Sequence, residues 1–510
     1  MRTARRPLIA AALALAAGPA AAQMAPVSLP APQPPAPPAD PVSALLRLVE
    51  RLKRIDEDGL DPRHYAIPDA SLAAADAAGW RAALHRSAQL ALGDLLLGRV
   101  REMPGRPDLR RDAAAAGLDR WLAELANAPD PAAVIDRAAA LPEGAAALKA
   151  ELARQRAIAR RGFAPIPGEA TIEPGSTDAL RVPALRARLA VEDAALAAAP
   201  NGGALYDAPL EAAVKRWQAQ NGLEADGRVG RISLGLLNRP LQARVDQLRV
   251  ALDMRRGAAA EPAERRIEVN IPDYRLSVLE EGRELLSMAV IVGRRDRATP
   301  MLRVRMTAIQ FNPPWGVPER NAREDLLPRF RRDPQSMMEK GFRVFGMVDG
   351  QRQEIDPRTI DWSSVNPQRF PYFIRQDAGD ANALGRIKFI MPNNDDIFMH
   401  DTPDRHLFRR PDRAFSSGCI RLERPNDLMA VLLDGTAGWD VARAQRALDA
   451  RTTSAVALRR QLPVTLAYRT VVVEGARVRI RPDVYDLDAA YARVMAAPRP
   501  QQVAALAGRA

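Results

Sequence analysis

Hydrophobic positions along the chain follow two periods, and the change from one to the other falls near the middle. Leu45, Leu46, Leu48, Val49 and Leu52 recur at three- and four-residue spacing and predict an amphipathic helix. Leu90, Leu92, Leu95, Leu96 and Leu97 form a second apolar segment, and Trp121, Leu122 and Leu125 mark a third. Leu180, Val182, Leu185 and Leu189 suit one further helix, and Leu210, Ala213, Val214 and Trp217 another. Leu241–Met254 continues the helical period. From Arg266 the spacing becomes two. Ile267, Val269 and Ile271 alternate with polar residues, as do Tyr274, Leu276 and Val278. Leu286–Val292, Leu302–Gln310, Ile387–Met391 and Ile397–His400 read as further strands. Residues 318–386, between two of them, read as helical and loop-like, a cap over a site.

The pattern predicts a multidomain α+β protein. Residues 43–175 form a helical scaffold, 176–240 a small three-helix unit, 241–265 a connecting helix, and 266–510 a β-rich domain with the cap inserted at about 318–386. A chain of 510 residues exceeds one compact core, which agrees with several domains. Two N-terminal segments stand outside that pattern. Residues 1–22 read as a secretory signal, with Arg2, Arg5 and Arg6 before the apolar run Leu8–Ala17 and small residues at Ala20–Ala22. That run is too short to span a bilayer; a signal retained as an anchor is the other reading. Eight prolines in the 17 residues Ala25–Pro41 make residues 23–42 a stiff linker.

Composition adds a net charge of +12, which favours polyanionic partners. Predicted export sets nucleic acid aside. It also places the chain's one cysteine, Cys419, in an oxidising compartment. A lone thiol there is either buried and inert or does work. One cysteine and four histidines make a structural zinc site a poor expectation, and neither metal nor cofactor is expected.

The chemistry concentrates in Phe398-Met-His-Asp-Thr-Pro and Arg413-Ala-Phe-Ser-Ser-Gly-Cys-Ile-Arg. A thiol attacks as thiolate, and a histidine can take its proton. His400 ends an apolar strand that can fix its ring, whereas His406 sits among arginines and reads as surface. His400 is favoured as the base; a buried core histidine is the bland alternative. His64 and His85 lie far from polar clusters and carry no assigned chemistry. Ser417 and Gly418 form a small-residue turn whose backbone N–H groups could converge on an oxyanion, or simply a tight turn.

Residues 400–421 resemble the YkuD-type L,D-transpeptidase motif. His400 is followed by 15 residues and then Ser416-Ser417-Gly418-Cys419-Ile420-Arg421. Ser417 stands where most members carry histidine; the large Gram-negative subgroup carries serine there, as here. The resemblance extends to Val269-Asn-Ile-Pro272, Val290–Arg294, Thr299-Pro300, Asn312-Pro-Pro-Trp315, Pro463-Val464, Tyr468, Arg481–Tyr485 and Asp58–Tyr65. A second likeness, to the three-helix peptidoglycan-binding domain, rests on Ala213, Val214, Trp217, Gln218, Gly222, Leu223, Asp226, Gly227, Val229 and Gly230. The insertion Ala194–Tyr206 separates its first two helices.

These resemblances imply a periplasmic cell-wall enzyme acting on peptidoglycan stem peptides through a Cys419 thioester, with His400 as general base and acid. The Asp401 carbonyl orients His400, and backbone N–H groups of Ser417, Gly418 and Cys419 hold the oxyanion. Arg421 either binds a substrate carboxylate or braces its loop. Trp315 and Asn312 line the groove or serve their proline-rich turn. The acceptor is a second diaminopimelate amine, an outer-membrane or wall-linked protein, or water. A non-catalytic wall-binding scaffold is the alternative of another class.

Overall fold

The computed structural model describes residues 41–221 and 223–499. The signal, nearly all of the proline-rich linker and Gly222 lie outside the described residues.

The helical periodicity resolves into three helices of one core. Pro41–Lys53 buries Leu48, Val49 and Leu52; Ala77–Leu97 buries Leu92, Leu95, Leu96 and Leu97; Leu118–Asn127 buries Trp121 and Leu125. Leu46 was expected on the apolar face but is exposed. The connecting helix is Gln242–Arg255, and it packs on Ala145–Arg161 through Val245, Leu248 and Leu252. Asp253, fully buried near its end, accepts the Arg99 N–H at 2.6 Å and the Tyr491 hydroxyl at 2.7 Å. Satisfying that charge ties the scaffold, this helix and the C-terminus together.

The small unit holds helices Arg181–Ala190, Ala194–Ala198, Ala208–Gln220 and Arg231–Leu237. The second lies in the insertion and adds a short helix to the three expected: part of the insertion folds and buries Leu196 in the shared core. The Gln218 amide donates to Asp226 Oδ1 at 2.9 Å and accepts the Gly227 N–H at 2.9 Å, fixing the turn before the last helix.

The two-residue period becomes strands in chain order: β1 Arg266–Asn270, β2 Arg275–Glu280, β3 Arg283–Gly293 and β4 Leu302–Phe311. β5 Trp315–Gly316, β6 Phe342–Val348, β7 Gln351–Ile355 and β8 Phe373–Gln376 belong to the cap. β9 Ile387–Ile390, β10 Met399–His400, β11 Ala414–Ser416, β12 Ile420–Leu422 and β13 Ser454–Ala467 complete the main sheet. Its order is β11-β3-β12-β10-β9-β4-β13-β1-β2, and β2 also pairs with β3, so the sheet closes on itself with β11 attached to β3. Alternating residues fill the enclosed core, including Ile267, Val269, Val290, Phe389, Met399 and Ile420.

Two expectations are corrected. The cap is not only helix and loop: it contains a four-stranded sheet, ordered β5-β8-β6-β7, beside helices Leu327–Arg332 and Pro334–Glu339. β7, Gln-Arg-Gln-Glu-Ile, is an almost wholly exposed edge, so no apolar alternation announces it. The β-rich domain also does not hold everything from 266 to the end. A hairpin of β14 Val471–Glu474 and β15 Arg477–Ile480 packs on the scaffold through Val471, and helix Leu487–Ala496 does so through Tyr491 and Met495. Hydrophobic surface left on the scaffold, not sequence order, decides where this tail docks.

Candidate active site

β10 and β12 run parallel side by side, with Met399 paired to Ile420 and His400 to Arg421. Residues directly paired across a ladder point to the same face. Met399 and Ile420 therefore turn into the core, both with no exposure, while His400 and Arg421 turn to the opposite face. Cys419 stands one residue ahead of β12, beside Phe398: the Phe398 carbonyl accepts the Ile420 N–H at 3.1 Å, and the Phe398 backbone N–H faces the sulfur. Cys419 and His400 thus share one face of two adjacent strands, which the apolar alternation Ile397–Met399 and Ile420–Leu422 sets.

The chain between β9 and β10 is shaped by Asn393, whose amide donates to the carbonyls of Met391 at 2.6 Å and Ile397 at 2.7 Å. That turn carries Asp396 in a left-handed conformation, φ 54°, and the Cys419 thiol lies 3.9 Å from the Asp396 carbonyl. Only Met399–His400 of the expected strand Ile397–His400 forms ladder.

His400 is 4% exposed, and its Nδ1 lies 2.5 Å from the Asp401 carbonyl. A ring donating there presents Nε2 as its acceptor. Burial first, and the Arg421 guanidinium second, push its pKa down to about 3, so the ring is neutral at any physiological pH. The Asp401 carboxylate does separate work. It accepts the N–H groups of Arg386 at 2.9 Å and Thr402 at 2.7 Å and pairs with Arg405. Gly385 is needed there, since a Cβ would lie 2.4 Å from that carboxylate.

Burial raises the Cys419 thiol, opposed by the Phe398 N–H and then by the Lys388 and Arg421 cations. The turn before it is held from several sides. Ser416 Oγ donates to the Cys419 carbonyl at 2.5 Å and accepts the Gly418 N–H at 3.2 Å. Thr299 Oγ1 donates to the Gly418 carbonyl at 2.7 Å. Gly418 has φ 117°, and a Cβ would press on Ile397 at 3.2 Å. The Gly418 N–H, expected at an oxyanion, is directed at Ser416 Oγ here. The donors not engaged this way in the Ser417–Cys419 turn are the N–H groups of Ser417 and Cys419.

Three other expected residues fall as follows. Arg421 donates to Asp404 at 3.0 Å, which braces the loop after His400. Trp315 sits at the root of the cap, edge-on to Phe342 with ring centroids 6.4 Å apart. Asn312 does not line a groove: it is 1% exposed, and its amide donates to the carbonyls of Ala447, Leu448 and Thr452 at 2.9–3.2 Å. Its side chain stitches the end of β4 to the end of helix Val441–Asp449 and the residues that lead into β13. His406 is exposed on a short 3-10 turn.

Sequence reading missed the polar contact between cap and turn. Asn321 donates to Ser417 Oγ at 2.9 Å, and Arg297 donates to the same oxygen at 2.8 Å. Arg297, its side chain 3% exposed, also pairs with Glu324 at 2.6 Å and with Asp325. Its place within the charged run Arg294-Arg-Asp-Arg297 disguises it as surface. Lys388 was also missed, as a polar residue in an outwardly apolar strand.

Comparisons with known proteins agree with this arrangement. Residues 264–442 match the model of the YkuD L,D-transpeptidase catalytic domain, and residues 194–237 match a "Putative peptidoglycan binding domain". A "Putative L,D-transpeptidase" of Haemophilus influenzae is 38% identical over 252 residues, 49% of this chain and 48% of that protein. The matched stretch thus spans about half the length of that curated relative. The chain thus carries a stretch similar to the YkuD L,D-transpeptidase catalytic domain, joined to one similar to a peptidoglycan-binding domain.

Proposed function

We propose that the protein is a periplasmic L,D-transpeptidase that forms 3–3 cross-links between peptidoglycan stem peptides. The observation that carries this reading is the placement of Cys419 and a neutral, carbonyl-oriented His400 on one face of adjacent strands.

In this mechanism His400 Nε2 takes the thiol proton after the Cys419 side chain turns from the Asp396 carbonyl. The sulfur attacks the carbonyl between diaminopimelate and D-alanine of a tetrapeptide stem. The N–H groups of Ser417 and Cys419 receive the oxyanion. The C–N bond breaks, His400 gives its proton to the departing D-alanine amine, and a thioester remains. The amine of a second diaminopimelate then attacks; the C–S bond breaks, and the amine proton returns through His400 to the sulfur. Arg421 holds the loop that carries Asp401 and Thr402. The peptidoglycan-binding domain supplies retention on the same polymer, and a wall-linked protein amine is an alternative acceptor for the same thioester.

The test is incubation with purified tetrapeptide muropeptides. D-alanine and 3–3 dimers are expected, and Cys419→Ala is expected to lose at least about 1,000-fold in rate. Tripeptide stems without dimers would make the protein a carboxypeptidase. Full turnover by Cys419→Ala would remove the thioester mechanism, and an inert wild-type protein would leave a wall-binding scaffold.

A further inference from the structure

Lys388 pairs with His400 across the β9–β10 ladder, and His400 pairs with Arg421 across β10–β12. The three side chains form one row on one face, with His400 between two cations. Phe398 and Cys419 make the next row on the same face. The Lys388 ammonium does not stay in its own row. It lies 3.9 Å from the centroid of the Phe398 ring, toward the nucleophile.

The two cations are not equivalent. Arg421 is tied to Asp404 and acts chiefly on His400. Lys388 has no ion-pair partner among the described residues, and of the two cations it acts more strongly on the Cys419 sulfur. Its own pKa is lowered, by burial first, while Cys419 and Asp396 oppose that shift. An ammonium seated on an aromatic face and partly removed from water projects its field efficiently onto a nearby anion. Burial alone would leave this thiol protonated and slow, so the site needs a counter-charge.

We propose that the Lys388 ammonium is the counter-charge of the nucleophile: it holds the Cys419 sulfur as thiolate for attack and receives it again as thiolate when the thioester breaks. This rests on Cys419 being the nucleophile. The thiol proton still leaves through His400, and Lys388 keeps its own protons throughout.

Cys419 is the chain's one cysteine, so alkylation reports on it alone. The experiment measures iodoacetamide alkylation of the full chain against pH by intact mass, for wild type, Lys388→Met and Lys388→Arg. In Lys388→Met the midpoint is expected to rise by about one pH unit, slowing alkylation about tenfold at neutral pH. Lys388→Arg is expected to recover most of that loss, and Lys388→Gln takes the place of Lys388→Met should the latter fail to fold. An unchanged alkylation profile overturns the proposal, and does so decisively if KM for muropeptides rises, because Lys388 would then bind a substrate carboxylate instead. Turnover by Cys419→Ala is a separate measurement, so failure of the nucleophile assignment is not mistaken for failure of this one.

Discussion

Beneath Cys419 the main sheet packs Val290, Phe389, Met399 and Ile420 without exposure, whereas the cap meets the turn before it at Ser417, directly through Asn321 and indirectly through Arg297, which pairs with Glu324 and Asp325 of the cap. The cap has its own core, in which Phe330 stacks on Trp362 with centroids 4.4 Å apart and Phe342 and Ile374 are buried. The sheet places His400 and Cys419 by ladder register and apolar burial, which resist small perturbations. The cap is attached at this point by polar contacts, which are individually weaker. The geometry of that pair is therefore fixed, and the cap's hold on the turn is adjustable.

The strongest way to break this comparison is to cut each core in turn. Phe389→Ala and Phe330→Ala each remove a fully buried ring, at an expected cost of about 3–5 kcal/mol. In Phe389→Ala the loss should appear as a lower melting temperature for the catalytic domain, together with loss of the proposed transpeptidation. In Phe330→Ala the cap should lose hydrogen-exchange protection first, while β9 and β10 stay protected and Cys419 reacts faster with iodoacetamide. Simultaneous loss of protection in both regions would show that cap and sheet are one cooperative unit.

The same contrast explains what the amino-acid pattern makes legible. Strands β1 and β2 alternate because one face meets the closed core, β3 announces itself by its apolar run Met288–Val292, and the His400–Cys419 spacing is local enough to see. The cap strands are short, and β7 is an exposed edge, so their pattern carries no apolar signal. Asn312 looks like a groove residue because it precedes Pro313, Pro314 and Trp315. Its three carbonyl partners lie 135 or more residues onward and leave no trace in its neighbourhood. Lys388 and Arg297 acquire meaning only when strand register and the cap bring them beside Cys419 and Ser417. Gly418 is legible as a turn, but the hydrogen bond from its N–H to Ser416 is not.

Acid should probe the sheet side of the comparison. His400 has a folded pKa of about 3 against an ordinary value of 6.5. The unfolded chain thus binds a proton that the folded chain refuses, so this group costs nothing at neutral pH and destabilises the fold as pH drops from 6.5 toward 3. Between pH 7 and pH 5 the loss should be about 2 kcal/mol. Denaturant titrations at the two pH values measure it. His400→Gln should lack that part of the slope; an identical slope would mean that His400 is protonated in the fold.

The smallest expected effect lies at the seam. Asn321→Ala removes one of the two donors to Ser417 Oγ and leaves the other, from Arg297. A neutral hydrogen bond of this kind contributes about 1 kcal/mol, so alkylation of Cys419 should speed up by about threefold to fivefold, with the midpoint pH unchanged. The midpoint distinguishes this variant from the Lys388 variants, since opening the cap alters access and not the charge beside the sulfur. Salt offers a second handle. Glu324 and Asp325 are partly exposed where they pair with Arg297, so about 1 M salt should weaken their hold and bring wild type toward the Asn321→Ala rate. If neither the variant nor salt changes the rate, the cap is held in place by its apolar root at Trp315 and Phe342, and the polar seam only orients Ser417.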